Sequence, residues 1–503
     1  MRKRWRMRLV IVAFLALVVI LNVLLFFRPA RRWTPLPSLP QLAVLDASAI
    51  SESDLAAWVT AELAALRTQP DARLLHLSRC FRLYKALAGS RPTALAAAME
   101  RDLFNFIAPT RSLAALKASY AGRGIVITAS RHQLRFLYPL LHTLRFNLSC
   151  TLPVELVFKG EADLLPSEQA SVRNWVPGLR VVDVAPLLSD EARGVQGYGV
   201  KMLALLFASC DECVLIDADA VLLVDPATFF TDVRYGATGT LFFYDYQWDK
   251  KPKDLRPVFR DWLDAFMPDL APDSTAHGPD FLGGLSGMLL ESGVVVMHKR
   301  RRFVSVLAQA TLVLPRFADL FATRVLGDKE LFWMAAHMAK EPIGVYPGVA
   351  GRIGEPHPGF PRASEPCGNH IAHESEDGVP LWFNGGIYAD KVSSAAADEI
   401  GVFTHFSRYM PHAKMGVRHG RLWCVVMLAA STPVCRPVPP AQRAIIAYHA
   451  AQALRMRESA AALGVPLSLP ARSHGLEAVY HGSNWAAYKE RCARETAAMR
   501  AVA

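Results

Sequence analysis

The stretch CVLIDADAVLLVDP sets two acids, Asp217 and Asp219, at the end of an apolar run that otherwise reads as a buried strand. A carboxylate in such surroundings is costly unless a cation or hydrogen-bond donors compensate its lost hydration. Positions i and i+2 of an extended chain project to one side, so the two side chains can converge on one cation. Hard oxygen donors of this kind suit Mg²⁺ or Mn²⁺, and with a diphosphate as co-ligand they suit these ions better than Zn²⁺. Without further context the triplet also fits two solvated turn acids.

The surrounding elements give that context. From Gly122 onward, GIVITAS, PVELVFK, LRVVDVA and CVLIDAD are short β-branched runs separated by helical or polar stretches. Continuous apolar strands suit a parallel sheet covered on both faces, which predicts an α/β sheet of the doubly wound kind. Ligands of such sheets bind beyond the carboxyl ends of the strands, where Asp217 and Asp219 would lie. TGTLFFYD, GVVVMHK and IGVYPG are predicted as later strands. Residues 51–118 are rich in Ala and Leu at helical spacing, and beyond about residue 406 the chain reads as helical again. The expected organisation is a helical region over 51–118, a catalytic domain over 119–406 and a C-terminal helical extension over 407–503.

A hydrophobic content of 52% with 20% charged residues excludes a disordered chain. The net charge of +11 does not predict a nucleic-acid partner, because eight Lys and Arg fall within the first 32 residues, on either side of an apolar run. That run, Leu9 to Phe27, has 19 residues with only Asn22 polar. At helical rise it spans about 28 Å, the thickness of a bilayer core. Arg28, Pro29, Ala30, Arg31 and Arg32 follow where a signal peptide would carry a small-residue cleavage site, so an uncleaved signal anchor over 9–27 is predicted. Five basic residues precede it and three follow, which places a cytosolic tail at 1–8 and the remainder in the lumen. Pro29, Pro35, Pro37 and Pro40 make 28–50 a stem. Eight cysteines fit an oxidising compartment, with Cys424 and Cys435 the first pair to test. Asn147-Leu148-Ser149 is a candidate glycosylation site.

The segment KMLALLFASCDECVLIDADAVLLVDPATFF resembles the donor-binding core of the fungal Golgi α-mannosyltransferases of glycosyltransferase family 71. Three further blocks agree in order: GRGIVITAS, ESGVVVMHK with GDKELFWMAA, and HESEDGVPLWFNGG. Together they cover about residues 120 to 390. The resemblance implies a GT-A, Rossmann-like nucleotide-sugar fold, a GDP-mannose donor, a mannosylated glycan or glycoprotein acceptor, and a type II Golgi membrane enzyme, possible partner of a Golgi transferase complex.

The resemblance also distributes roles. Asp217, Ala218 and Asp219 become the metal and diphosphate segment. Lys201 becomes a point charge on the donor's phosphate oxygens, its alternative being a solvated lysine at a helix start. Thr128 and Ala129 end the first strand where the nucleotide would lie, or form an ordinary strand-to-loop turn. Glu291, in ESG, would orient sugar hydroxyls or attack the anomeric carbon, or is a plain loop acid. Asp328 and Glu330 become sugar or acceptor contacts, although acids at a helix start are also explained by the helix dipole. His373 is the expected third metal ligand, with a structural histidine as alternative. Trp382 and Asn384 would line the acceptor groove, and Trp382 suits a core equally.

One competing constellation has the residue types of a Cys₃His zinc site: Cys210, Cys213, Cys367 and His370. Cys213 begins a buried strand and the predicted compartment favours disulfides, which argues against it. A Cys-x-x-Cys redox site lacks the thioredoxin-like setting. The expected function is a retaining α-mannosyltransferase. A related transferase using a UDP-hexose and a non-catalytic glycan-binding subunit are the alternatives.

Overall fold

The apolar runs from Gly122 onward form strands β1 (Arg123–Thr128), β2 (Val154–Phe158), β3 (Leu179–Asp183) and β4 (Glu212–Asp217). Every residue of β2 is buried, as expected of a strand covered on both faces. The computed structural model describes residues 51–90, 94–108, 112–245, 255–267, 289–322, 324–325, 327–356, 366–389, 399–409, 418–419, 422–423, 435–463 and 485–502. The predicted tail, anchor and stem over 1–50 and Cys424 lie outside them. Among the described residues no single helix is long and apolar enough to cross a membrane. By its contacts the chain divides into Met1–Trp58 and Val59–Ala503, and the second unit carries the sheet.

The later strands are β5 (Ala220–Leu222), β6 (Thr240–Tyr244), β7 (Leu290–His298), β8 (Val345–Pro356), β9 (Pro366–Glu374) and β10 (Pro380–Asn384). They include all three of the later runs read as strands. The order across the sheet is β3-β2-β1-β4-β7-β6-β8-β9-β10-β5. Strands β3, β2, β1 and β4 are parallel, whereas β7 runs antiparallel to both β4 and β6. The sheet is therefore mixed, which corrects the expectation of a parallel one. Apolar content reports that a strand is covered on both faces; it does not report the direction of its neighbour.

The chain does not remain extended through Asp219. It turns at Ala218 and Asp219, and β5 then pairs antiparallel with β10, aligning Ala220 with Asn384 and Leu222 with Trp382. Two residues thus carry the chain from the middle of the sheet to the far end of its strand order. The Asp219 carbonyl accepts the amides of Gly385 (3.2 Å) and Gly386 (2.7 Å). Both glycines have positive φ, and a Cβ would meet the His370 ring at 2.8 Å or the Phe136 ring at 2.7 Å.

Residues 51–118 are helical as read, in Glu52–Thr68, Arg73–Ser90, Ala94–Leu103 and Leu113–Ser119. Of the helices that follow, α1 (Leu134–His142), α2 (Val200–Phe207), α3 (Phe303–Leu312) and α4 (Lys329–Met338) pack on the sheet or on one another. All of α2 and α3 is buried, so neither shows an amphipathic period. The C-terminal part is more than a helical extension. Strand β11 (His405–Tyr409) joins β8, and Cys435–Pro437 pairs with β11. Helix α5 (Pro440–Leu463) lies on α1, where Thr143 Oγ1 and the buried His449 Nδ1 are 3.0 Å apart. Helix α6 (Trp485–Val502) is held by an ion pair of 2.8 Å between Arg324 and Glu495.

Candidate active site

Strand β4 delivers Asp217 to the carboxyl edge of the parallel strands, in register with Thr128 at the end of β1. Helix α2 presents Lys201 beneath it. The Lys201 ammonium is 2.7 Å from Asp217 Oδ1 and 2.8 Å from Asp328 Oδ2, and it donates to Ser292 Oγ at 3.0 Å. Lys201 is 6% exposed, which removes the alternative of a solvated lysine. Burial lowers its affinity for a proton, but Asp217 and Asp328 outweigh that and hold it charged. Asp328 flanks the start of α4, yet its side chain does not cap the helix. Its carboxylate is committed to Lys201 instead.

Burial pushes Asp217 up to about 6, against the pull of Lys201 and with the added repulsion of Asp219 and Asp328. Two carboxylates therefore share one ammonium, with the charge of Asp219 close enough to act on Asp217, and oxygen donors of this kind suit a divalent cation. Among the described residues, however, no three His, Cys, Asp or Glu side chains converge as a metal-binding group. The set Asp217, Asp219 and His373 is not assembled. His373 is buried and stacked on Trp382, with ring centroids 4.2 Å apart, and burial lowers it to about 3. Its cross-strand pairing with Trp382 sets this position. Of the predicted set, the charge of Asp219 acts on Asp217, whereas His373 is packed on Trp382.

Beside the ammonium lies Glu291, at the start of β7. Asn384 Nδ2 donates to Glu291 Oε1 at 2.6 Å, and the Gly293 amide donates to the same oxygen at 3.1 Å. Gly293 is required by close approach, since a Cβ would stand 2.6 Å from Trp382 Cζ3. Burial, followed by repulsion from Asp245, raises Glu291 to about 7. Neither Ala129 nor Ala218 is exposed, and Thr128 is half-buried, so any contribution of these three to a donor would come largely through backbone.

Two expected acceptor contacts are corrected. Glu330 is 0% exposed, and its carboxylate accepts the Leu289 amide (2.8 Å) and the Trp333 indole N–H (2.6 Å). Both oxygens are used within the protein. Trp382 is also 0% exposed, packed with Phe243 and His373, so it is a core residue rather than a groove wall. Asn384 is different: its Oδ1 is buried without a hydrogen-bond partner. The zinc constellation is not formed, because Cys210 and Cys213 are disulfide-bonded and His370 packs against the Phe383 and Phe403 rings. Asn147 is half-buried at the end of a π-helical turn, Thr143–Asn147.

The sequence reading missed Lys329, whose ammonium pairs with buried Asp245 within reach of Glu291 and Glu330. A lysine between the two acids of GDKE was the available signal. It also passed over Ser292 and the amides of Gly385 and Gly386.

A family model described as "Mannosyltransferase putative" matches residues 122–375, which contain β1 to β9 and the Lys201, Asp217 and Asp328 cluster. The chain belongs to this mannosyltransferase family. Within it, the chain is 28% identical over 326 residues to the "Putative alpha-1,3-mannosyltransferase MNN14" of Candida albicans, covering 58% of this chain and 47% of that protein. It is 28% identical over 308 residues to the alpha-1,3-mannosyltransferase MNT2 of Saccharomyces cerevisiae, covering 54% and 53%. The mannosyltransferase-family chain thus spans about half the length of the curated relatives it matches. Among solved structures, the galactosyltransferase LgtC with donor and acceptor sugar analogs superposes over 44% of this chain and 73% of that one, at 14% identity and a TM-score of 0.28. That superposition is too low to bear on fold or function.

Proposed function

We propose that this family member is a GT-A-type retaining α-mannosyltransferase, taking mannose from GDP-mannose to a mannose-containing glycan as a type II Golgi membrane protein. The observation that carries the reading is the single buried ammonium of Lys201 shared by Asp217 and Asp328 beside Asp219. Carboxylates gathered at the carboxyl edge of parallel strands suit a cation-bound diphosphate. Asp217 and Asp219 would hold Mn²⁺ or Mg²⁺, which when bound stabilises the charge developing on the departing diphosphate.

The chain's own residues do the rest. Lys201 fixes the Asp217 carboxylate and screens it from Asp328. Asn384 and the Gly293 amide hold Glu291 by one oxygen. With its proton affinity raised to about 7, Glu291 is largely an orienting group at neutral pH and a weak nucleophile. This favours front-face substitution, in which the bond to the leaving phosphate breaks on the side where the acceptor oxygen adds. The departing phosphate then takes the acceptor's proton, and no side-chain base is required.

The test is incubation of the purified chain with a panel of GDP- and UDP-sugars and a mannoside acceptor, with Mn²⁺ and with chelator. Transfer from GDP-mannose that stops on chelation supports the proposal. Turnover of UDP-hexoses alone moves the assignment to another donor. Full activity in Asp219→Ala sinks the role given to the aspartates.

A further inference from the structure

None of the aspartate cluster contributes to a cleft of about 350 Å³ among the helices before and after the first part of the sheet, on which Arg67, Arg73, Arg101 and Arg316 converge with Asp102 as the one acid of the lining. Arg67 occupies Asp102 at 2.7 Å, and Arg316 is matched outside the lining by Glu191 at 3.2 Å. Among the described residues Arg73 and Arg101 have no carboxylate partner. Arg73 donates to the Arg316 carbonyl at 3.4 Å, and its buried Nε has no hydrogen-bond partner. Burial also weakens the hold of Arg316 on its proton in spite of Glu191, a cost that a bound anion would relieve.

Two uncompensated guanidiniums beside two compensated ones suit a dianion more than a single carboxylate. Their planar forks match the oxygens of phosphate, and each fork can make two parallel hydrogen bonds. Leu63, Leu66 and Phe317 complete the wall, giving an apolar surface for whatever carbon framework carries the anion. We propose that this cleft is a second binding site, one that takes a phosphate monoester through Arg73 and Arg101. The site lies apart from the residues assigned to sugar transfer, so its outcome does not depend on that reading.

The chemistry is shared by soluble phosphate esters and by lipid headgroups, and two probes separate them. The full chain, in phosphate-free buffer, is titrated calorimetrically with inorganic phosphate and with glucose 6-phosphate. In parallel it is sedimented with phosphatidylcholine vesicles with or without phosphatidic acid. Binding that weakens about tenfold in Arg101→Gln and again in Arg73→Gln, as expected for the loss of one charge-assisted contact each, supports the site. Saturation by the soluble probes without phosphatidic acid-dependent sedimentation assigns a soluble ester, and arginine-dependent sedimentation assigns a headgroup. Arg101 is exposed, so its variant should fold as the parent does, and an unchanged melting curve verifies this. Failure of both probes to bind the parent chain, or equal binding by Arg101→Gln and Arg73→Gln, overturns the proposal.

Discussion

Lys201 and Asp217 form a buried ion pair of 2.7 Å that joins a helix to the strand carrying the aspartates. Its ammonium is also the cation of Asp328, so one side chain pairs with a strand end and a helix start. Lys201→Met should leave the Asp217 and Asp328 carboxylates without the cation they share. We expect a loss of about 3–5 kcal/mol in stability, the usual result of breaking a buried pair, and at least about a hundredfold fall in turnover. Denaturant unfolding and steady-state transfer assays measure the two effects. Excess Mn²⁺ should restore part of the stability and little of the activity.

Asp217 should titrate in a specific window. Asp217 has its proton affinity raised from an ordinary value of 3.8 to about 6. A raised carboxyl is stabilised by the fold in its protonated form, so that contribution is complete below about 4 and lost as pH rises through about 6. Cation binding needs the ionised form. Mn²⁺ affinity measured by calorimetry should therefore fall below pH about 6, and the metal-free protein should gain stability over the same descent. An affinity flat between about pH 5 and about pH 7 would count against this assignment.

His373 gives the opposite slope. Burial lowers it from 6.5 to about 3, so the fold favours the neutral ring. Stability from this group is complete above about 6.5 and is lost as pH falls toward 3. His373→Phe keeps a ring against Trp382 and removes the titration. Its acid unfolding limb should be displaced to lower pH, and unchanged Mn²⁺ affinity would separate a packing histidine from a ligand.

Gly293→Ala tests the seat of Glu291. The added methyl would stand 2.6 Å from Trp382 Cζ3 and 3.2 Å from Asn384 Nδ2. Overpacking of a full core costs about 1–3 kcal/mol, and here it would also displace the donor of the 2.6 Å hydrogen bond to Glu291. A larger fractional loss in kcat than in folding stability would show that the position of Glu291 matters to the reaction.

At the other end of the chain, Glu495→Ala should strand Arg324, whose side chain is 1% exposed. Trp262 would lose its indole acceptor as well. The expected cost is about 3–5 kcal/mol, read by thermal or denaturant unfolding. Proteolysis should then cut first within α6.

The first four strands were legible because each is a short β-branched run, and the aspartates were legible because acids are anomalous at the end of one. Lys201 was placed at its helix start, but sequence could not reveal that Asp217 and Asp328, separated by 111 positions, meet on it. The direction of β7 and the turn at Ala218 were hidden for the same reason: both are decided by pairing with distant segments. His373, Glu330 and Trp382 have residue types that serve catalysis and core alike. Only burial separates those uses, and burial is a property of the packed chain. Lys329 was overlooked because lysine at a helix start is ordinarily solvated; its partner Asp245 lies 84 residues earlier.

The carbonyl of Asp219 is moored by amides that are translated more than 160 residues later. A ribosome that has delivered the aspartates has therefore not yet delivered what anchors their turn. Until Gly385 and Gly386 emerge, a nascent chain lacks the two amides that hold this turn, and premature termination anywhere between would leave the acids without them. The turn that carries the two acids is thus completed by a pair of glycines far along the chain.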